Sequence, residues 1–293
     1  YEQKNHAVTI PADIQKFQTD ITFQDWEISG DKVKQNLDQT FGPILWTQYT
    51  LHRGIMKMTA QVSPMGKLNK EKAHLELFKG GEWKRVQSSA IHEFASTAHF
   101  RIENWNDKQE TAYRVVFQDG DSIGEWKGTI RKDPKDKSTI KLAAMSCMKD
   151  GAFPNHYLQQ KILAQDPDIL FFAGDQLYEG NGGFGIVRAK KIADVARASL
   201  NYLQKYWIFG WSFRDAMKDR PSVVIPDDHD VYHGNIWGLG GGPVPEGGSR
   251  GSDGGYEMHA EWVRMVERTQ VSNLPDPYDP TPVLQDIGVY YTD

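Results

Sequence analysis

Three short polar clusters, each directly after an apolar run, carry residue types that bind metal ions in proteins. They are 146–147 (SC), 174–179 (GDQLYE) and 227–230 (DDHD). Thiolate, carboxylate, phenolate and imidazole groups differ in the cations they prefer, so together they offer ligands for more than one kind of metal. The sequence therefore predicts a metal site assembled from three separate segments.

Asp175, Tyr178, Asp228 and His229 are candidate ligands or acids within these clusters. The carboxylate of Asp175 could bridge two cations because each of its oxygens can face one of them, and Tyr178 could return its phenolate oxygen to the same place. The imidazole of His229 could bind a cation or donate a proton to a leaving group. Two cations about 3.5–4 Å apart stabilise an attacking hydroxide and the charge that builds on a phosphoryl group. The predicted chemistry is hydrolysis of a phosphate ester by a metal-bound hydroxide, with His229 as the catalytic residue.

Continuous apolar runs and helical spacing surround these clusters. The runs 141–145, 169–173 and 223–226 predict strands. Unbroken apolar strands separated by helices are typical of a parallel sheet covered on both faces. Ligands of such sheets bind beyond the carboxyl ends of the strands, so we expect the three clusters to meet there. The predicted helices lie near 155–165 and over 189–207 and 256–270.

The chain before residue 139 has a different pattern. After an opening that reads as irregular or partly helical, short segments alternate apolar and polar residues, with Gly-Gly, Asn-Asp and Asp-Gly between them. Such alternation with turn residues is typical of an antiparallel β-sandwich. The charged stretch 131–137 contains a proline and predicts an exposed boundary. We therefore expect a β-sandwich domain over 1–138 and an α/β domain over 139–293. The predicted strands include 56–62, 75–78, 83–86, 100–102, 113–117 and 126–130.

Composition and charge exclude several classes of protein. The 293 residues contain 34 Lys plus Arg and 39 Asp plus Glu, a net charge of −5, which argues against a nucleic-acid binder that holds phosphates by its overall field. The single Cys excludes an intramolecular disulfide scaffold and multi-Cys zinc sites. No apolar run approaches the roughly 20 residues of a membrane span, and the first residues lack the features of a secretory signal. Composition leaves open whether the protein is cytoplasmic or exported after removal of a signal, and it leaves the oligomeric state open.

The three clusters, with a β-sandwich before them, resemble the PhoD-like alkaline phosphatases (the alkaline phosphatase D family), which have the calcineurin-like metallophosphoesterase fold. The resemblance implies a hydrolase of phosphomonoesters and phosphodiesters that uses ferric iron with calcium, or another divalent metal pair, and that is periplasmic or secreted. It also implies that Asp175 bridges the two metals and that Cys147 and Tyr178 bind the ferric ion. By the same resemblance Asp228 binds the second metal and His229 lies near the leaving group.

The chain departs from the family in several places. The third cluster ends with Asp230 where the family often has Glu, and 231–238 resembles a less-studied branch, so the substrate carries over only weakly. The phosphatase fold normally takes further His and Asp ligands from later strands, yet no His follows His259. The segment 288–292 reads as a strand that stops without a turn. We therefore expect the natural chain to continue and this sequence to cover the front half of the phosphatase domain. We also expect its own metal site to be incomplete, with weak or absent activity.

Several candidates also have a less specific interpretation. Cys147 alone is more often a small buried apolar residue than a ligand. Asn235 could offer an amide oxygen or form a turn with Gly234, and Arg188 could clamp a substrate phosphate or stay solvated. For the whole protein the alternative is a non-catalytic binding or structural protein on a relic phosphatase scaffold, with carbohydrate or a cell-surface molecule as ligand. Bound metal with turnover would support the enzyme, and tight binding without metal would support the alternative.

Overall fold

The computed structural model describes residues 27–33, 42–65, 71–119, 122–232, 243–248 and 253–276. The chain forms two compact units, 1–41 and 42–293. In the first unit, the described residues include a turn closed by a hydrogen bond from Val33 N to Gly30 O (2.9 Å). The second unit contains every strand and helix given below. The domain boundary after residue 138 stays a prediction.

The first part of the second unit consists of seven antiparallel strands. They are β1 (Ile44–His52), β2 (Ile55–Val62), β3 (Lys72–Lys79), β4 (Glu82–Ala90), β5 (Thr97–Ile102), β6 (Thr111–Asp119) and β7 (Ser122–Ile130). One sheet has the order β1–β2–β5 and the other the order β4–β3–β6–β7. Met58 and Phe100 from the first sheet share one buried apolar core with Leu75 and Val115 from the second. The predicted antiparallel sandwich is therefore confirmed.

The second part alternates strands with helices. In chain order these are β8 (Leu142–Met145), α1 (His156–Gln165), β9 (Ile169–Ala173), α2 (Val195–Met217), β10 (Ser222–Ile225) and α3 (Ala260–Gln270). The three strands pair in parallel in the order β8–β9–β10. Phe172 of the central strand packs its ring against Phe209 and Phe213 of α2, with ring centroids 4.9 and 5.2 Å away. The predicted fold class, an antiparallel sandwich followed by an α/β part, is confirmed.

Strand β8 differs from the expectation of a sheet covered on both faces. Leu142 and Ala144 are exposed. Their in-register partners on β9, Ile169 and Phe171, lie on the same face of the sheet and are only partly buried. β8 lies at the edge of the sheet. This face of the sheet is therefore not fully covered at β8.

The limits predicted for α2, 189–207, are wrong at both ends. Residues 192–194 form a 3-10 turn, and the α-helix begins at Val195 and continues to Met217. Gly210 lies within this helix against Trp46 of β1, where a Cβ atom would come within 2.5 Å of the indole ring. The lack of a side chain at this position therefore permits the close contact between α2 and β1. Among the described residues, no helix, not even this one, combines the length and the apolar character needed to cross a lipid bilayer.

Strand β1 contradicts the prediction of an irregular or partly helical opening over its residues. Its first seven residues, from Ile44 to Thr50, are all buried. Tyr49 belongs to the sandwich core, whereas Trp46 belongs to a second apolar core, which β1 shares with α2. The ring centroids of Trp46 and Tyr206 of α2 are 5.5 Å apart. Because both faces of β1 are covered, its sequence lacks the alternation that marks a half-exposed strand.

Helix α3 confirms the predicted apolar face but begins later than residue 256. His259 precedes the helix, and its Nδ1 accepts a hydrogen bond from the backbone N–H of Glu261 (3.2 Å). Trp262, Val263 and Val266 are fully buried in the core shared with α2. The strand predicted at 288–292 lies outside the described residues.

Candidate metal centre

The three predicted clusters meet beyond the carboxyl ends of β8, β9 and β10. Cys147 N donates to Gly174 O (3.2 Å) and Met148 N donates to Asp175 O (2.7 Å), so the first two strand ends run side by side. Asp175, Asp228 and His229 present ligand atoms that all lie within 4.8 Å of one another. Groups separated by more than fifty residues in the chain therefore face a common point.

The backbone at these strand ends has an unusual conformation. Cys147, Gly174 and Asp175 all have positive φ angles, of 60°, 79° and 54°. Non-glycine residues seldom adopt this region, and when they do they are often found at functional sites. At Gly174 a Cβ atom would lie 2.4 Å from the Cβ of Asp227, so a glycine is needed for the loops after β9 and β10 to approach this closely.

Asp175 is the best candidate for a metal ligand by its surroundings. Its side chain is only 7% exposed. The Cys147 thiol lies 3.7 Å from Oδ2, whereas Oδ1 is buried and has no hydrogen-bond partner within the part of the chain that the structure describes. A buried carboxylate oxygen without a partner is strongly unfavourable. A cation next to Oδ1 would remove that penalty, so the residues present fit a bound metal.

Tyr178 lies against the same carboxylate. Burial raises the pKa of the Tyr178 phenol, and the neighbouring Cys147 and Asp175 raise it further. The Lys149 ammonium lies 5.1 Å from the centre of the Tyr178 ring. Since the phenol keeps its proton in this environment, a cation that takes Tyr178 as a ligand must displace that proton.

Asp228 and His229 reach the cluster from the loop after β10. Burial raises the pKa of Asp228, and the carboxylates of Asp175 and Asp227 add to this effect. Burial lowers the pKa of His229, but the hydrogen bond and charge of Glu179 outweigh it, so the pKa lies above its usual value of 6.5. A cation would relieve the repulsion between the carboxylates and compete with the proton on the imidazole.

Glu179 belongs to this group of side chains, although the sequence analysis assigned it no role within the second cluster. It is buried, and its Oε2 lies 2.7 Å from Nδ1 of His229. Because Nδ1 is engaged, Nε2 is the ring nitrogen left to contact a cation or a substrate. The ring of His229 also packs on Tyr178, with centroids 4.3 Å apart.

Asp230 stands out in the sequence only as an aspartate where the family often has glutamate. It is fully buried and accepts hydrogen bonds from the backbone N–H of Asp175 (2.8 Å) and of Asp227 (2.9 Å). Burial raises the pKa of Asp230 to about 7, against the lowering effect of the hydrogen bonds it accepts from Asp227 and Gln270. The sequence signal that could have identified it is a second acid two residues after Asp228.

Arg188, a predicted substrate-binding residue, makes its polar contacts within the protein. Its Nη1 donates to the backbone oxygen of Tyr232 (2.7 Å) and to Glu257 Oε2 (3.0 Å). An ion pair of this kind competes with a substrate phosphate, so the clamp assigned to Arg188 stays a prediction. The other predicted substrate-binding residue, Asn235, lies outside the described residues.

Comparison with known proteins adds little. No protein-family model and no curated protein sequence matches the chain. One solved structure that it resembles is the laminaripentaose-producing β-1,3-glucanase of glycoside hydrolase family 64 from Paenibacillus barengoltzii, in complex with laminarihexaose. The match covers 36% of this chain at 11% sequence identity with a TM-score of 0.22. The chain spans 27% of the length of that glucanase. A likeness this weak carries no argument about fold or function.

Proposed function

We propose that this chain is a metal-dependent phosphoesterase of the PhoD-like alkaline phosphatase family, acting on phosphomonoesters or phosphodiesters. The observation that carries the proposal is the group of Asp175, Asp228 and His229, whose ligand atoms lie within 4.8 Å of one another. The group lies beyond the carboxyl ends of parallel strands, where α/β proteins bind their ligands. The resemblance of the three clusters to the family's motifs is a separate line of support.

Cys147, Asp175, Tyr178 and Asp228 are the proposed metal ligands. Cys147 and Tyr178 suit a ferric ion, and Asp228 suits a hard cation such as calcium, with Asp175 between them. When bound, such a pair supplies the positive charge that activates a water and neutralises the phosphoryl oxygens. Oδ1 of Asp175 has no hydrogen-bond partner among the residues that the structure describes, and Oδ2 lies beside Cys147, so this carboxylate has the two separate faces that a bridging role needs.

His229 is the proposed proton donor to the leaving oxygen. Glu179 holds Nδ1 at 2.7 Å and leaves Nε2 to face the ester. Its negative charge favours the protonated imidazole, against the effect of burial. Glu179 therefore has two proposed effects, to orient the ring and to keep the proton available.

Substitution of Asp175 by Asn tests this function. We expect the full natural chain, loaded with iron and calcium, to hydrolyse bis(p-nitrophenyl) phosphate, an aryl phosphate diester. Asp175→Asn keeps the side-chain volume but removes the charge and one bridging oxygen, so metal content and rate should fall together. The rate should fall by at least about 100-fold, the upper end of what changes to the partners of metal ligands produce.

Asp166→Asn is the matched control, since Asp166 forms ion pairs with Arg131 and Arg220 outside the cluster. This variant should keep the metal content and the hydrolysis rate of the wild type. An Asp175→Asn variant as active as the wild type would end the bridging assignment. A metal-loaded wild type without turnover, whose metal-free form binds a carbohydrate tightly, would instead favour the non-catalytic alternative.

A further inference from the structure

Asp230 has an environment that its place in the sequence does not explain. Its side chain is 0% exposed, and each carboxylate oxygen accepts two hydrogen bonds. Oδ2 accepts from the backbone N–H of Asp175 (2.8 Å) and Asp227 (2.9 Å). Oδ1 accepts from the backbone N–H of Gln176 (3.0 Å) and from Nε2 of Gln270 (3.0 Å). With four N–H donors on two oxygens, Asp230 is saturated and is not itself a cation ligand.

These hydrogen bonds join the two loops that carry the proposed ligands. Asp175 and Gln176 follow β9, and their successive N–H groups converge on one anion because Gly174 and Asp175 have positive φ angles. Asp227 follows β10 and directly precedes Asp228 and His229. The buried carboxylate of Asp230 thus stabilises the positive-φ backbone of the loop after β9 and connects that loop to the one after β10 by hydrogen bonds.

The fourth donor, Gln270, connects this carboxylate to helix α3. The same Nε2 also contacts the hydroxyl of Tyr202 (3.0 Å), and Oε1 of Gln270 accepts from Nε2 of Gln176 (3.4 Å). The backbone oxygen of Gln270 accepts from the side chain of Gln48 in β1 (3.1 Å). The side-chain amide of Gln270 is therefore fixed by Tyr202 and Gln176, and its backbone by Gln48, so this residue can hold Asp230 in turn.

We propose that Asp230 is a positioning residue, which sets the distance between Asp175 on one loop and the Asp228-His229 pair on the other. It acts through the backbone and touches neither metal nor substrate. Its effect on metal affinity rests on the function proposed above, whereas its effect on the backbone of Asp175 and Gln176 does not.

Asp230→Asn is the test variant because it keeps the shape and replaces one acceptor oxygen with an NH2 group. Whichever way the amide is turned, its NH2 group meets two N–H donors, so two of the four hydrogen bonds are lost. We expect faster hydrogen exchange at the amides of Asp175 and Gln176 and an affinity for Mn²⁺ that is weaker by about 10- to 100-fold. Asp230→Glu restores the carboxylate and should recover part of both effects.

A control must distinguish a general loss of protein stability from a change in the position of the loops after β9 and β10. Leu77→Ala, in the sandwich core on β3, is the control. It should destabilise the protein but leave unchanged both the affinity for Mn²⁺ and the exchange of the two amides.

Gln270→Met is the second test variant, for use if Asp230→Asn does not fold. It keeps the side-chain volume and removes the donor to Oδ1 of Asp230. It should change the same two readouts in the same direction, but less. Folded variants with unchanged exchange at Asp175 and Gln176, or with faster exchange but unchanged affinity, would overturn the proposal. A wild type that binds no Mn²⁺, together with faster exchange in Asp230→Asn, would leave the role of Asp230 in the loops standing and reject the metal site.

Discussion

The two oxygens of Asp175 have different surroundings, and this difference is the main physical argument for a metal. Oδ2 has a thiol beside it, while Oδ1 is buried and has no partner among the described residues. A folded protein seldom leaves a buried carboxylate oxygen without a protein partner unless an ion or a water molecule contacts it. The sequence identifies this residue because it directly follows an apolar strand, but only the structure shows that one oxygen is left over.

The roles of Glu179 and Asp230 could not be predicted in the same way. Glu179 contacts His229 across 50 positions of the chain, and Asp230 contacts Asp175 across 55. Residue type and spacing reveal groups that stand at strand ends, such as Asp175 and Asp228. They do not reveal which neighbouring acid turns toward a histidine and which turns toward backbone N–H groups.

His229→Gln decides between the two roles that the imidazole could have. If His229 donates a proton, the variant should lose about 10²- to 10⁴-fold in kcat on an alkyl phosphate diester. The loss on bis(p-nitrophenyl) phosphate should be much smaller, because p-nitrophenolate leaves readily without a proton. Steady-state rates on both substrates, with metal content measured in parallel, check this. An equal loss on both substrates together with lost metal would make His229 a ligand.

At the scale of elements, alternation of apolar and polar residues identifies strands whose outer face is at least partly exposed. Strands β6 and β7 alternate in this way because one face lies in the sandwich core and the other is partly exposed. Strand β1 was missed since the opposite face packs on α2 through Trp46, and its polar residues Gln48 and Thr50 are buried with hydrogen bonds to the segment after α3. Coverage from both sides erases the periodicity on which such predictions depend.

Gly210→Ala tests the close contact between β1 and α2. Alanine normally favours a helix by about 1 kcal/mol over glycine. Here its Cβ would lie 2.5 Å from the ring of Trp46, and overpacking of this kind costs about 1–3 kcal/mol. We expect a net loss in the free energy of unfolding, measured by urea denaturation. Leu200→Ala, at an exposed position of the same helix, should change it by no more than about 0.5 kcal/mol. A more stable Gly210→Ala variant would contradict the packing described for Trp46.

The sandwich should lose stability in acid through His99 of β5, which pairs with Thr59 of β2. Its ring nitrogens lie 3.2 Å from the hydroxyl of Thr59 and 3.0 Å from that of Thr97. Burial lowers the pKa of His99 to about 3, and Arg268 adds to this effect, whereas the unfolded chain titrates near 6.5. Between these values the unfolded state binds one more proton, so stability falls as pH falls, by about 1.4 kcal/mol per pH unit.

His99→Gln should remove this part of the pH dependence. Urea denaturation of both proteins between pH 7.5 and 4.5 should give a shallower acid slope for the variant. Above pH 7 the two curves should run parallel, because there His99 is neutral in both states. An identical slope below pH 6 would mean that His99 does not stay neutral in the folded protein.

On the scale of the molecule, the sandwich and the α/β part of residues 42–293 share an extensive contact. The guanidinium of Arg214 lies 3.6 Å from the ring centre of Trp211 and 5.0 Å from that of Trp126 on β7. The hydroxyl of Tyr113 donates to the backbone oxygen of Lys218 (2.9 Å). We therefore expect the two parts to unfold together.

Bound metal should stabilise this whole unit. A cation that binds only the folded protein adds about 2.7 kcal/mol to its stability at a concentration 100 times Kd. We expect Mn²⁺ to raise the Tm of the wild type in differential scanning fluorimetry and to leave the Tm of Asp175→Asn almost unchanged. The same increase in both proteins would mean that Mn²⁺ binds elsewhere, and no increase in either would count against the metal site.

The side chain of Gln48 lies on a sandwich strand, yet it donates to the backbone oxygens of Thr269 (2.9 Å) and Gln270 (3.1 Å) and to Oδ1 of Asn273 (2.9 Å). A chimera that joins the α/β part to another β-domain would therefore leave three buried acceptors without their donor. Any chimera of this protein has to carry strand β1 along with the α/β part, because the packing boundary between the two folds does not coincide with the point where the chain passes from one to the other.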